Sequence, residues 1–304
     1  MITNIFRPQS VAEALGLKND LKGSVFYLAG GTEINSKDFY PQPDQLIFLE
    51  GLGLNQIQQD NEGLTIGAHC TMQQLIDDTK TPDFIKQAAA QIINRNIRNA
   101  ATLGGHLVCN KPYSDIIPTL LVAGASVEIE GPQGTKVVLL SDFLQAPGTD
   151  LLVAVKIPQV KADRRVSCLN YRCSANDLSL ITTAVSVVCQ DRVVSEIMII
   201  LGGVGLKRQR LLAVENNLIS RNFKVDRARV HSSQNEGIQP RQSQVSNLAG
   251  RVLPGVDELQ NLVSRAVEAT PDFRGSVVFK KYEAGVMVAQ ALCRACEGQA
   301  GGGS

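Results

Sequence analysis

The sequence predicts an α+β protein with two domains. Its 304 residues exceed the usual length of a single domain. In the first half of the chain, short apolar runs of strand length alternate with amphipathic runs of helical period. In the second half, two β-rich runs flank a short polar turn, and two helical runs follow them. We therefore predict a first domain of mixed helices and strands, and a smaller second domain with an antiparallel sheet and helices.

The elements of the first domain follow from local signals. Ser10 is the predicted N-cap of an amphipathic helix that begins at Val11. The predicted strands cover residues 25–28, 45–49, 56–58, 64–66, 127–129, 136–139 and 151–157. The later predicted helices cover residues 71–77, 81–93 and 115–123. Pro118 is compatible with the last of these helices because it lies near the first turn. These elements assign residues 1–160 to the first domain.

A proline and a charged run at 161–165 mark the boundary between the two domains near residue 160. Residues 179–189 and 193–201 predict an antiparallel hairpin. Residues at about 224–250 are polar, show little periodicity and predict a loop. Closing helices are predicted at 256–269 and 276–294. One face of the last helix is predicted to carry Val278, Tyr282, Val286, Ala289 and Leu292. We assign residues 161–296 to this domain and 297–304 to a flexible tail.

Composition and charge restrict the classes of partner. Hydrophobic residues make up 44% of the chain and charged residues 19%, which is ordinary for a globular protein with a substantial core. The net charge of +1 gives no electrostatic reason to expect nucleic acid or an anionic membrane as a partner. The sequence starts without a signal-peptide pattern and contains no apolar run of ~18 residues, the length of a membrane span. We therefore expect a cytoplasmic protein.

Two glycine pairs are the strongest functional signal in the chain. They lie in residues 28–35, LAGGTEIN, which we call the first glycine loop, and in residues 101–106, ATLGGH, the second glycine segment. Glycine can adopt positive φ and lets successive backbone N–H groups point at phosphate oxygens, and nearby threonine hydroxyls add donors. Each pair alone is also compatible with a plain tight turn. Together they favour binding of a large anionic cofactor.

Cysteines and other catalytic residue types form no recognisable site. The seven cysteines are odd in number and scattered, which argues against a disulfide framework. Cys168 and Cys173 have the gap of a plant-type iron–sulfur site but lack the cysteine that should follow. Cys293 and Cys296 form a CxxC on a predicted helix with no second pair nearby. We predict no metal in this chain, and no P-loop, nucleophile elbow or HExxH motif identifies a catalytic residue.

The order of motifs along the chain resembles the FAD-binding medium subunit of the molybdenum hydroxylases, the family of xanthine dehydrogenase and carbon monoxide dehydrogenase. These motifs are LAGGTEIN, TIGAHCTMQQL, RNAATLGGH, SDIIP and DFRGSVVFKKY. The resemblance covers nearly all of the chain except the polar segment near 224–250. It implies a vanillyl-alcohol-oxidase-type FAD-binding domain followed by a smaller α+β C-terminal domain.

The resemblance also implies which residues hold the cofactor. The first glycine loop matches the segment that wraps the FAD pyrophosphate through backbone N–H groups. Its residues are Leu28, Ala29, Gly30, Gly31, Thr32, Glu33, Ile34 and Asn35. Thr102, Gly104 and Gly105 match the second cofactor loop of the family. His106 stands where the family usually has asparagine, which keeps a polar group but changes its geometry and the charge it can carry.

Asp115, Leu151 and Leu152 each allow two interpretations. Asp115 matches an aspartate that accepts a hydrogen bond from a cofactor hydroxyl, but it could also be a carboxylate that interacts with a helix dipole. Leu151 and Leu152 match a strand whose leucine covers an aromatic face of the cofactor, and they could equally be plain core. Residues 172–176 depart from the family because they lack its paired basic residues. This departure weakens the case for a cation that acts on the flavin.

The implied function is an oxidoreductase subunit with noncovalent FAD that passes electrons between a partner's [2Fe–2S] clusters and NAD or another acceptor. The molybdenum cofactor is expected on a separate large subunit and the [2Fe–2S] clusters on a small subunit. Two alternatives remain open. His106 and the departure at 172–176 are also compatible with a flavin-free structural subunit of the same type of complex. A free-standing flavin oxidase is the other alternative.

Overall fold

The computed structural model divides into two compact units. One unit comprises Met1–Val160 and Arg172–Ser179, and the other comprises Lys161–Tyr171 and Leu180–Ser304. The structure describes residues 2–36, 42–92, 94–160, 163–174, 177–190, 193–221 and 256–297. The predicted polar loop at 224–250 and residues 298–304 of the predicted tail therefore lie outside the described residues, whereas Glu297, the predicted first residue of the tail, ends the last helix. Among the described helices, none combines the length and apolarity needed to cross a bilayer.

The first unit mixes short strands and short helices, as the sequence predicts. Its strands are β1 Asn4–Phe6, β2 Val25–Leu28, β3 Gln45–Phe48, β4 Ile57–Gln59, β5 Gly63–Gly67, β6 Ser126–Gly131, β7 Gly134–Leu139 and β8 Leu151–Pro158. Its helices are α1 Val11–Asp20, α2 Met72–Asp77, α3 Asp83–Ala90, α4 Arg95–Ala100, α5 Leu103–Cys109, α6 Ile116–Val122 and α7 Leu140–Gln145.

The strands of the first unit form two sheets. Strands β1, β3 and β2 form a parallel sheet in that order, in which Leu28 at the end of β2 pairs with Phe48. Strands β4, β5, β8, β6 and β7 form an antiparallel sheet in that order. The apolar strand β8 is central and almost entirely buried. Helices α2, α3, α5, α6 and α7 contribute to one hydrophobic core with β5, β6 and β8.

Polar caps explain where several helices begin. The Ser10 side chain accepts a hydrogen bond from the Glu13 N–H, so Ser10 is the N-cap of α1 as predicted. Thr71 and Gln74 form a reciprocal capping box at the start of α2.

Helices α4 and α5 occupy a region in which the sequence predicts only a polar segment and a turn. Asn94 begins α4 because its side chain accepts a hydrogen bond from the Asn96 N–H at 2.7 Å. Thr102 begins α5 in the same way through the Gly105 N–H at 3.1 Å. The expected turn at the second glycine segment is therefore wrong, because local capping extends the chain as a helix.

The second unit is an antiparallel sheet covered by helices. Its strands are β9 Arg164–Tyr171, β10 Ile181–Gln190, β11 Val193–Gly202 and β12 Gln209–Arg210. Its helices are α8 Leu212–Ser220, α9 Val256–Ala266 and α10 Val277–Glu297. Strands β10 and β11 pair antiparallel, which confirms the predicted hairpin. Residues of α8, α9 and α10 pack with β10 and β11 in one core.

Helix α10 buries less of its predicted apolar face than expected. Val286, Ala289 and Leu292 are buried. Val278 and Tyr282, by contrast, are 78% and 54% exposed. The predicted face is therefore packed only beyond the first turns of the helix, since periodicity alone does not tell where a neighbouring element ends.

Candidate cofactor-binding site

The first unit contains a cavity of about 730 Å³ where the sequence-predicted residues converge. Its walls include both glycine regions, strand β8, and residues from Arg172 to Ser179. The predicted residues that line it are Leu28, Ala29, Gly30, Gly31, Thr32, Glu33, Ile34, Thr102, Gly104, Gly105, His106, Asp115, Leu151 and Leu152. Asn35 instead lines a second cavity of about 440 Å³, which shares residues 28–31 with the first.

The first glycine loop leaves the carboxyl end of β2 and turns sharply. Gly31 has a φ of +70°, a conformation that favours glycine. Gly30 is needed for close approach, because a Cβ built on it would lie 1.6 Å from the Ala100 carbonyl oxygen. The turn is closed by a hydrogen bond from the Asn35 N–H to the Gly31 carbonyl, at 3.2 Å. The loop is thereby held against the end of α4.

The first glycine loop also presents a run of unused donors. Within the part of the chain that the structure describes, five successive backbone N–H groups lack a hydrogen-bond partner. These groups belong to Gly30, Gly31, Thr32, Glu33 and Ile34. Neighbouring N–H groups in a turn form a concave site of positive partial charge that suits an anion. All five residues line the cavity, so this site faces a space that can hold a ligand.

The second glycine segment has a different role from the one predicted. Gly104 and Gly105 lie in α5 and are not among the described glycines with positive φ. The Gly104 N–H donates to the Ala68 carbonyl at 2.7 Å, and the Gly105 N–H donates to Thr102 Oγ1 at 3.1 Å. These donors are already used within the protein. The prediction that this pair forms a positive-φ corner with free amides is therefore wrong.

Gly104 and Gly105 are instead required by close packing. A Cβ on Gly104 would lie 2.8 Å from both the Cβ and the carbonyl oxygen of Ala68. A Cβ on Gly105 would lie 2.9 Å from Thr102 Oγ1. The missing side chains let α5 approach β8, where a Cβ on Gly104 would also lie 3.2 Å from Leu152 Cδ2. The segment shapes the cavity wall without supplying the predicted backbone donors.

His106 and Asp115 lie on neighbouring parts of the wall. His106 Nε2 is 2.7 Å from Ser114 Oγ, which also accepts a hydrogen bond from the Ile117 N–H at 3.1 Å. The donor of the His106–Ser114 hydrogen bond depends on the tautomer of the imidazole ring. Asp115 is the N-cap residue of α6, but its side chain makes no capping hydrogen bond. Its carboxylate is paired with the Arg172 guanidinium at 3.2 Å.

Arg172 is the main functional candidate that sequence reasoning missed. It lines the cavity, and its guanidinium also donates to the Gln91 carbonyl and, at 3.3 Å, to Ser179 Oγ. This segment lacks the paired basic residues of the resembled family. Its single arginine nevertheless pairs with Asp115, which lies 57 residues earlier in the chain. The available signal was a single arginine at the end of a strand, which does not identify its partner.

Leu151 and Leu152 satisfy both interpretations made from the sequence. Both are nearly fully buried, and both line the cavity. Leu151 packs in a cluster with Leu49 and Val153, and Leu152 belongs to the larger core of the first unit. They are core residues that also form an apolar part of the cavity wall.

Two further lining residues carry buried polar atoms with no protein partner among the described residues, namely Tyr27 Oη and His69 Nε2. Burial and then the nearby Asp150 carboxylate raise the pKa of Tyr27 to about 12, so its hydroxyl stays protonated. Burial lowers the pKa of His69, so its ring is neutral at pH 7. An unpaired buried polar atom is costly, so both atoms are candidates to meet a ligand.

An ion pair joins two walls of the cavity. Lys111 Nζ lies 2.5 Å from Glu33 Oε1, with side chains 35% and 29% exposed. Glu33 belongs to the first glycine loop, and Lys111 follows α5. Among the described residues, no cluster of three or more metal-ligating side chains is present. The site is thus built from amide dipoles, paired charges and apolar walls.

The chain is similar in sequence to known proteins. Residues 1–160 match the family described as the FAD binding domain in molybdopterin dehydrogenase. The chain is 29% identical over 291 residues to the uncharacterized protein YgfM of Escherichia coli strain K12, and the match covers 95% of each chain. It is 31% identical over 166 residues to the carbon monoxide dehydrogenase medium chain of Afipia carboxidovorans, covering 50% of this chain and 57% of that one.

A solved structure has a similar fold. A chain of the carbon monoxide dehydrogenase from Hydrogenophaga pseudoflava superposes with a TM-score of 0.80 at 23% identity, covering 97% of both chains. At this identity, the likeness concerns the fold alone. It confirms the predicted mixture of helices and antiparallel sheets.

Proposed function

Because the chain belongs to the family of FAD-binding domains of molybdopterin dehydrogenases, we propose that it carries electrons through FAD in a molybdenum-dependent hydroxylase or dehydrogenase complex. Its partners in this proposal are a large subunit with the molybdenum cofactor and a small subunit with [2Fe–2S] clusters. NAD is the leading acceptor, and the complex is cytoplasmic. We further propose that residues 1–160 form a vanillyl-alcohol-oxidase-type FAD-binding domain and residues 161–296 the C-terminal domain.

The observation that carries this proposal is the run of five unpaired N–H groups in the first glycine loop. FAD contains a diphosphate, which needs several hydrogen-bond donors. A Cβ at Gly30 would occupy the space in which the loop meets Ala100, so the loop can exist in this form only with glycine there. Tyr27 Oη and His69 Nε2 are additional buried polar atoms in need of partners. These features fit a large, polar, anionic cofactor.

The residues of this chain have binding and positioning roles in the proposal. FAD supplies the redox chemistry when it is bound. The first glycine loop holds its diphosphate, and Asp115, fixed by Arg172, is placed to accept a hydrogen bond from a cofactor hydroxyl. Leu151 and Leu152 exclude water from the wall beside it. No side chain of the chain is assigned as a catalytic acid, base or nucleophile.

Flavin analysis of the purified full-length chain tests the proposed function. We expect FAD to be released on denaturation without any covalent link, and the flavin-free protein to bind added FAD with quenching of flavin fluorescence. A protein that neither retains nor binds FAD would instead support a structural subunit. Turnover of an organic substrate by the isolated chain, without partner subunits, would support a free-standing oxidase. Copurification with molybdenum and iron in the native complex is the expected result.

Tyr27→Phe provides a test of the site that does not depend on activity. Removal of the unpaired buried hydroxyl is expected to raise the stability of the flavin-free protein by about 1 kcal/mol, since an orphaned polar atom is costly. If the cofactor normally satisfies this hydroxyl, the variant will also bind FAD about fivefold more weakly, or about 1 kcal/mol. Urea unfolding and fluorescence titration measure the two effects.

Tyr282→Phe is the matched control, because Tyr282 is 54% exposed on α10 and does not line the cavity. It is expected to change neither stability nor FAD binding. Unaltered FAD affinity in Tyr27→Phe would show that the Tyr27 hydroxyl does not meet the cofactor.

A further inference from the structure

The Glu33–Lys111 ion pair has a location that calls for an explanation. Glu33 contributes one of the five unpaired N–H groups of the first glycine loop, and its carboxylate belongs to the same short turn. A loop that receives an anion through its backbone therefore carries a negative side chain. Like charges at close range oppose each other, and water screens this repulsion less in a concave site than on an open surface.

The other charges of the cavity do not remove this conflict. Among the described lining residues, the acidic ones are Glu33, Asp115, Asp150 and Asp177, and the basic ones are Lys18, Lys111 and Arg172. Arg172 is paired with Asp115. Lys18 donates to the Val25 carbonyl and lies over the rings of Phe26 and Tyr27, each 5.7 Å from the ring centroid. Both cations are thus engaged elsewhere on the wall.

Lys111 is placed to neutralise Glu33. Its ammonium is 2.5 Å from the Glu33 carboxylate, close enough to donate a charge-assisted hydrogen bond to it. This hydrogen bond is the main cause that raises the pKa of Lys111, so the side chain remains charged under physiological conditions. The loop and its lysine together carry no net charge, which leaves the N–H dipoles to dominate the local field.

Resting on the proposed function, we propose that Lys111 is an electrostatic positioning residue for the cofactor diphosphate. It acts through Glu33: it cancels the carboxylate charge and ties the first glycine loop to the segment after α5. In this arrangement the phosphate oxygens are contacted by the loop amides, and Lys111 keeps its bond to Glu33 when FAD is present.

A double-mutant cycle on the full-length protein tests this role. FAD affinity is measured by fluorescence titration of the flavin-free wild-type protein, Lys111→Met, Glu33→Gln and the double variant. Lys111→Met exposes the Glu33 charge and is expected to weaken FAD binding about tenfold. Glu33→Gln and the double variant are expected to bind within about twofold of wild type, because neither contains an uncompensated carboxylate. The loss in Lys111→Met is also expected to shrink as KCl is added.

Two control variants test whether the loss of FAD affinity depends on the positive charge at position 111. Lys111→Arg keeps the positive charge and is expected to bind FAD like the wild type. Lys136→Met removes a lysine from an exposed position on β7 outside the cavity, so it changes the net charge alone and should leave affinity unchanged.

The outcomes separate this inference from the proposed function. If Lys111→Met binds FAD normally, or if the double variant is as weak as Lys111→Met, the neutralising role is wrong; the second result would mean that Lys111 contacts the diphosphate itself. In both cases wild-type binding of FAD would leave the proposed function intact. A wild-type protein that does not bind FAD at all would remove the proposed function and this inference together.

Discussion

Gly30→Ala is expected to abolish FAD retention. The new Cβ would lie 1.6 Å from the carbonyl oxygen of Ala100 and 2.5 Å from its carbonyl carbon. Because these atoms are backbone, no side-chain rotation can relieve the overlap, and the first glycine loop has to move away from the end of α4. The five N–H groups of the loop then lose the arrangement that they have in this turn. We expect FAD affinity to fall by about 100-fold or more, equivalent to about 2.8 kcal/mol.

Fluorescence titration and retained flavin after gel filtration measure this loss, and thermal unfolding follows the stability of the variant. Gly16→Ala is the matched control, because a Cβ at Gly16 meets nothing within 4 Å and α1 does not touch the first glycine loop through this residue. Normal FAD binding by Gly30→Ala would mean that the loop does not hold the cofactor.

The two glycine regions show which features of the site the sequence predicts and which it does not. The first glycine loop was predicted to use positive φ and free amides, and Gly31 has that conformation. The second was predicted in the same way, but Thr102 caps α5 and consumes one of its amides. The sequence signals are almost identical, since both regions combine two glycines with a nearby threonine. What separates them is the Ala68 carbonyl, which accepts the Gly104 N–H from another part of the chain.

Contacts between residues that are far apart in the sequence could not be predicted either. Local rules predicted the N-cap at Ser10, a helix over residues 71–77 and the hairpin of β10 and β11, because these features depend on neighbouring residues. Tyr27 in the cavity wall gave no such signal, and His69 was marked only by its place in the motif TIGAHCTMQQL. Their polar atoms become informative only when burial shows that they lack partners.

Asp115→Ala is expected to produce the largest loss of stability among the charged residues of the site. The Asp115 carboxylate and the Arg172 guanidinium are 3.2 Å apart, and their side chains are only 9% and 15% exposed. Removal of one partner of a buried pair leaves the other charge without compensation, which costs about 3–5 kcal/mol. Arg172 keeps hydrogen bonds to Gln91 and Ser179, so we expect about 3 kcal/mol, the lower end of that range.

Urea unfolding of a double-mutant cycle separates this cost from simple loss of a contact. Asp115→Ala with Arg172→Met is expected to be more stable than Asp115→Ala alone, because no uncompensated buried charge remains. Glu258→Ala is the control, since its pair with Arg221 joins side chains that are 65% and 56% exposed and should contribute less than about 1 kcal/mol. Equal effects of Asp115→Ala and Glu258→Ala would contradict a buried pair.

The same variants distinguish the two roles of Asp115 in cofactor binding. If its carboxylate accepts a hydrogen bond from a cofactor hydroxyl, Asp115→Ala will weaken FAD binding by about 1–3 kcal/mol even where the protein is fully folded. Arg172→Met keeps the carboxylate but releases it from its partner, so it is expected to weaken binding less. Equal FAD affinity of wild type and Asp115→Ala would mean that Asp115 serves only as the counter-charge of Arg172. The pair would then contribute to the cavity by fixing the position of Arg172.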